Sequence, residues 1–215
     1  MILPRNRTFG RKAPDTSAKV FLIFCEGAKR ERDYFQYFAE IDSRVRVEVI
    51  APRPDEDNSP VGLVQKAQTY LEEADFLRIR PTDEIWFVVD TDRWGEKLEE
   101  LYRAVVTRSN WNIGQSNPCF ELWLYFHFTY QPPNFPGMAQ SANWKAFLDR
   151  VRPGGFNSRK HPLLIEDAIR NAKINFRTDA TGKPEFLSTN LHLLGSQLLK
   201  ILGPKIASAR RRADL

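Results

Sequence analysis

Two apolar runs limit what this chain can fold into. VFLIFC (20–25) and IWFVV (85–89) have no polar interruption, and each runs directly into an acid, Glu26 in the first and Asp90 in the second. Short continuous apolar runs of this kind suit strands buried on both faces of a parallel sheet. RVRVEVI (44–50) alternates as a strand does, and NIGQSNP (112–118) reads as a short strand ending at Asn117-Pro118.

Helical patterns lie between these runs. Tyr34, Tyr37, Phe38 and Ile41 recur at helical spacing. Ser59-Pro60 pairs a capping side chain with the residue favoured at the first helical position. Leu63, Ala67, Tyr70, Leu71 and Ala74 mark one face of the helix that follows, and Leu98, Leu101, Tyr102 and Val105 mark another. The order β-α-β-α-β-α-β predicts a parallel α/β sheet of about four strands with helices on both faces.

From residue 119 the signal is helical. CFELWLYFHF (119–128) is apolar nearly all round and reads as a buried helix, with a strand as the alternative. Trp144, Phe147, Leu148 and Val151 form a stripe, as do Ile165, Ala168, Ile169 and Ala172, and then Leu191, Leu194 and Leu198. The division expected is a basic N-terminal tail (1–18), a catalytic core (19–130), a helical extension packed on that core (131–204) and a basic C-terminal tail (205–215).

The acids at the strand ends carry the functional argument. In open α/β sheets ligands bind at the carboxyl ends of the strands. Glu26 ends the first strand; Asp90 ends the third and Asp92 follows it. First and third strands are commonly neighbours in a doubly wound sheet, so the three carboxylates are expected to converge. Gathered carboxylates repel and raise one another's pKa. A divalent cation relieves that repulsion, and an all-oxygen donor set favours Mg²⁺ or Mn²⁺. The threonine of D-T-D sets the spacing, because alternation along an extended segment points both aspartates to one side. Either acid alone would fit an ordinary helix cap; the combination is more specific.

FCEGAKRERDYF (24–35) followed by VVDTD (88–92) resembles a Toprim domain, the catalytic fold of topoisomerases, primases and overcoming-lysogenization-defect nucleases. With SNPCFELWLYFHF (116–128) and LSTNLHLL (187–194), the chain resembles the RloB family with its AbiLii-like members over roughly residues 19–200. The resemblance implies that Glu26, Asp90 and Asp92 are the metal ligands and that Glu31 fills the place of a second acid. Glu31 also fits an ordinary first-turn helix acid. Lys29 is a candidate phosphate contact or a plain surface lysine. Glu121, with Asn117 as helix cap and Pro118 at the first helical position, falls in the opening turn; it either joins the metal site or pairs with a basic side chain from a neighbouring helix. Ala28 and Arg30 depart from residues that are often acidic and threonine in such proteins. Trp123, Phe126 and Phe128 are expected in the core.

The preferred reading is therefore an Mg²⁺- or Mn²⁺-dependent Toprim endonuclease, the effector of an abortive-infection system, cutting RNA (tRNA among the candidates) or DNA. The resemblance implies a separate ATPase partner of the RloA type, since the chain has no Walker A loop. Two rival readings are a non-catalytic nucleic-acid-binding subunit and a DxD nucleotide-sugar transferase, which leaves Glu26-Gly27 idle. A net charge of +5 suits a polyanion partner only modestly. The excess gathers at the ends, with Arg5, Arg7, Arg11, Lys12 and Lys19 at one and Lys205 and Arg210 to Arg212 at the other. The absence of a membrane-length apolar run or an apolar leader predicts a cytoplasmic protein. Cys25 and Cys119 are expected as buried free thiols, and His127, His161 and His192 lack zinc-type spacing.

Overall fold

The computed structural model describes residues 18–42, 44–53, 55–73, 79–91 and 94–215. The N-terminal basic residues Arg5 to Lys12, Ala74 and Asp92 lie outside the described residues.

The chain forms one α/β layer structure. Strands β1 (Lys19–Cys25), β2 (Val45–Ile50), β3 (Glu84–Asp90) and β4 (Trp111–Asn117) pair in parallel, in the order β2-β1-β3-β4. A fifth strand, β5 (Ser188–Thr189), adds antiparallel to β4; the apolar pattern did not announce it because it is two residues long. Helices α1 (Arg30–Gln36), α2 (Pro60–Glu73) and α3 (Gly95–Val106) fill the crossovers, and α4 (Glu121–Tyr125), α5 (Ser141–Val151), α6 (Ile165–Asn175) and α7 (Leu191–Arg212) follow β4.

Alternation along the central strands divides the core. Phe21, Ile23, Cys25, Trp86 and Val88 face a core shared with α1 and the helices after residue 120, including Trp123, Trp144, Leu148, Ile165 and Leu194. Val20, Leu22, Phe24, Ile85, Phe87 and Val89 face the opposite core, closed by Leu63 and Ala67 of α2 and Leu98 and Leu101 of α3. Burial of each large apolar side chain contributes about 1.5–3 kcal/mol. Phe126 is also buried, and Phe128 packs against the same core.

The local signals resolve as follows. Ser59 caps α2, its Oγ accepting the Gly62 N–H at 3.3 Å. Tyr34 lies in α1, whereas Tyr37 and Phe38 fall in a 3₁₀ turn, Tyr37–Glu40. The buried helix in 119–128 is shorter than the apolar run: after Tyr125 the chain tightens into turns through Phe128, with His127 and Phe128 N–H groups bonding three residues back. Asn117 does not cap α4, because its Nδ2 donates to the Pro184 carbonyl at 3.1 Å; α4 begins at Glu121, which still sits in the first turn. The basic segment after residue 204 continues α7 through Arg212, with Ile206 buried and Arg210 paired to Asp167 at 2.7 Å.

The LSTN segment (187–190) fastens α7 to the sheet by side chains. Asn190 Oδ1 accepts the Gln115 N–H at 2.6 Å, and Thr189 Oγ1 donates to the Gln115 carbonyl at 3.0 Å. Ser116 and Thr189 hydroxyls meet at 2.9 Å. Asn190→Ala strands a β4 amide, and chemical denaturation should show a loss of about 1–3 kcal/mol. An unchanged midpoint would mean that water replaces the amide oxygen.

Candidate functional site

The C-terminal ends of β1 and β3 are adjacent because the strands pair with Cys25 opposite Val88. The next step keeps the register: the Glu26 N–H bonds the Val88 carbonyl at 3.0 Å, and Glu26 Oε2 accepts the Asp90 N–H at 2.9 Å. Glu26, buried to 4% exposure, therefore crosses to the other strand end and holds it.

Gly27 lets the chain leave β1 with Glu31 folded back over it. A Cβ at residue 27 would lie 2.0 Å from Glu31 Oε2, so any side chain there displaces the Glu31 carboxyl. Glu31 is buried, and its pKa is pushed up from 4.5 to about 7, first by burial and then by the Glu121 and Glu26 carboxylates. Burial, followed by the charge of Glu31, also raises the Cys25 thiol.

Glu121 reaches the same neighbourhood from α4. Its carboxylate pairs with the Arg30 guanidinium of α1. Burial, then the Glu121 and Asp90 carboxylates, raises the Cys119 thiol beside them. Both cysteines are buried and free. Glu26, Glu31, Asp90 and Glu121 thus share one electrostatic neighbourhood, with Arg30 as a cation within it.

Glu26, Gly27, Ala28, Glu31 and Asp90 line a cleft of about 270 Å³ together with Arg53, Glu56 and Asn58 of the β2–α2 loop. That loop is pinned by Lys66, which bonds the Ala51 carbonyl at 3.0 Å and pairs with Glu56, and Asn58 Nδ2 donates to the Glu26 carbonyl at 3.4 Å. No motif marks these loop residues, although their polar sequence APRPDEDNSP follows a strand and ligands gather at such ends. Lys29 does not line this cleft; it lies on the far side of the first turn of α1.

Thr91 does more than set spacing. Its N–H bonds the Ser116 and Pro118 carbonyls at 3.0 and 3.2 Å, and its Oγ1 donates to Ser116 at 3.1 Å. Gln115 Nε2 donates to Thr91 Oγ1 at 2.8 Å, while Tyr102 Oη donates to Gln115 Oε1 at 2.6 Å. These bonds fix the residue that follows Asp90 to β4 and α3.

Among the described residues, no three carboxylates, imidazoles or thiolates are gathered closely enough to hold a metal ion. The donor chemistry nonetheless fits a hard divalent cation: the cleft offers carboxylate oxygens, and buried Glu31 suffers like-charge repulsion that a cation would relieve. The histidines serve other ends. His127 bonds the Tyr34 hydroxyl at 3.0 Å and the Trp123 carbonyl at 3.0 Å, and burial drives its pKa down to about 3.

Sheet order, parallel crossovers and acids at two adjacent strand ends define an α/β protein with a strand-end acidic cleft. The RloB-like protein family matches residues 21–198, and the chain belongs to that family. No curated protein and no solved structure matches it.

The raised Glu31 pKa fixes a sign. The unfolded carboxyl ionises near 4.5 and the folded one near 7, so the folded chain holds the extra proton in between. Stability from this group is full below the lower value and is lost as pH climbs through the higher, by about 3 kcal/mol at ~1.4 kcal/mol per pH unit. Glu31→Gln, without metal, should therefore melt above the parent at about pH 8 and match it near pH 4. Equal melting offsets at both pH values would show that Glu31 is not held as described.

Proposed function

We propose that the chain is a metal-dependent nuclease of the Toprim type, acting on phosphodiester bonds of RNA or DNA in a phage-defence system. The observation that carries the reading is the junction of Glu26 and Asp90 at neighbouring parallel strand ends, with Glu31 beside them in one open cleft. The family's resemblance to defence effectors supports the biological setting and an ATPase partner supplied by a separate chain. No described helix is long and apolar enough to cross a membrane.

In this reading Glu26, Asp90 and Asp92 hold one or two Mg²⁺ or Mn²⁺ ions. A bound ion would polarise the scissile phosphate and lower the pKa of an attacking water. The chain's own residues do the rest. Glu26 positions the β3 end by accepting the Asp90 amide. Glu31, titrating at about 7, can hold or release a proton at its carboxyl near neutral pH. Arg30, paired to Glu121, limits the negative charge that accumulates around the cleft. Thr91 and Gln115 keep the D-T-D segment against β4.

A binding-only subunit that grips RNA or DNA is the second reading, favoured by the net charge of +5 and the basic segments at both ends of the sequence. Calorimetry with Mn²⁺ separates the two. Glu26→Gln should weaken binding at least about tenfold, since a hard anionic ligand is lost while shape is kept. Asp90→Asn should abolish cleavage of RNA or DNA by the protein expressed with its ATPase. Thr91→Val, which leaves every proposed ligand side chain in place, should weaken metal affinity by about tenfold through the lost anchoring. Metal affinity unchanged in all three variants would sink the metal-dependent reading and leave the binding subunit.

A further inference from the structure

A second cleft, of about 370 Å³, lies across the first turn of α1 from the acidic one. Ala28 and Glu31 line the acidic side, while Lys29 and Arg30 line this side. The opposite wall is α5, with Lys145 and Asp149, and the loop Gly154–Gly155 closes one end. Leu124, Leu148 and Phe156 also line it. We infer that this cleft seats a phosphate of the nucleic-acid backbone beside the cleavage site, held between Lys29 and Lys145; the inference rests on the nuclease reading and names how its substrate is gripped.

The charges decide the ligand class. Lys29, Arg30 and Lys145 face Asp33 and Asp149, an excess of one positive charge. Arg30 is committed to Glu121, and Asp33 to Arg32 at 2.9 Å. Lys29 and Lys145 have no ion-pair partner among the described residues, which leaves them with Asp149 and the same excess of one. Such a site matches the single negative charge of a phosphodiester better than the three or four of a free nucleotide. The lysines come from separate elements, so the cleft brings them together rather than a run in the sequence. The glycine end is open: Gly154 and Gly155 have φ of +85° and +69°, and a Cβ at Gly154 would meet nothing within 4 Å. Gly155 has no such room, since a Cβ there would lie 2.4 Å from Asp149 Oδ1. Gly154 therefore leaves its end of the cleft free of a side chain.

The test uses the full chain carrying Asp90→Asn, in EDTA, with fluorescein-labelled single-stranded RNA and DNA oligonucleotides titrated at several potassium chloride concentrations. Lys29→Ala and Lys145→Ala, each checked for folding by circular dichroism, should weaken binding about threefold to tenfold for every sequence. Each should flatten the slope of log K against log salt by about 0.7, the loss of one phosphate contact on a single strand. Lys145→Glu should weaken binding further, and Lys200→Ala on exposed α7 should change nothing. Lines for both lysine variants that superimpose on the parent, or a parent that binds no oligonucleotide, overturn the inference. The readout needs no metal and no cleavage. Loss of binding in Lys145→Ala alongside a wild-type chain that never cuts when expressed with its ATPase would uphold the phosphate site while refuting the nuclease.

Discussion

The bond from the Asp90 amide to Glu26 Oε2 is the constraint on which the rest of the site depends. It exists because β1 and β3 are parallel neighbours in register, so two acids separated by 64 positions in sequence end their strands side by side. The apolar runs supply the reason: each strand is buried on both faces, and a one-residue slip would exchange the side chains packed into the two cores and disrupt both. Core packing thus sets the placement of the carboxylates before any ligand arrives.

That placement is electrostatically unfavourable for the protein's own charges. Glu31 lies buried against Gly27 among like charges, and its carboxyl retains a proton to near neutrality. Arg30 partly compensates by pairing with Glu121. A site that is uncomfortable alone and relieved by a cation or a proton is the kind that functional chemistry uses, where perturbed carboxylates cluster in a cleft. Lys29, just before α1, and Lys145 of α5 add attraction for an anion at a distance from the acids, so the start of α1 separates two regions of opposite character.

Much of this was legible in the sequence. The four parallel strands followed from uninterrupted or alternating apolar residues, and the adjacency of the first and third strands followed from doubly wound topology. Glu26 and Asp90 could be named because they terminate those runs. Other features leave no local trace. Strand β5 is too short to show a period and is held by Asn190 and Thr189 side chains. The Arg30–Glu121 pair joins residues 91 positions apart, and the Tyr102–Gln115–Thr91 chain joins α3, β4 and the D-T-D segment through hydrogen bonds that composition does not encode. Asn117 looked like a helix cap because Asn-Pro before an apolar run usually is one, but a distant carbonyl at Pro184 takes its amide instead.

The most direct test of the proposed metal site is anomalous diffraction from crystals of the full chain grown with Mn²⁺. The account predicts a manganese peak in the cleft at the ends of β1 and β3, coordinated by carboxylate oxygens of Glu26 and Asp90. A fully occupied crystal with no peak there, or with manganese bound only elsewhere on the surface, would contradict it.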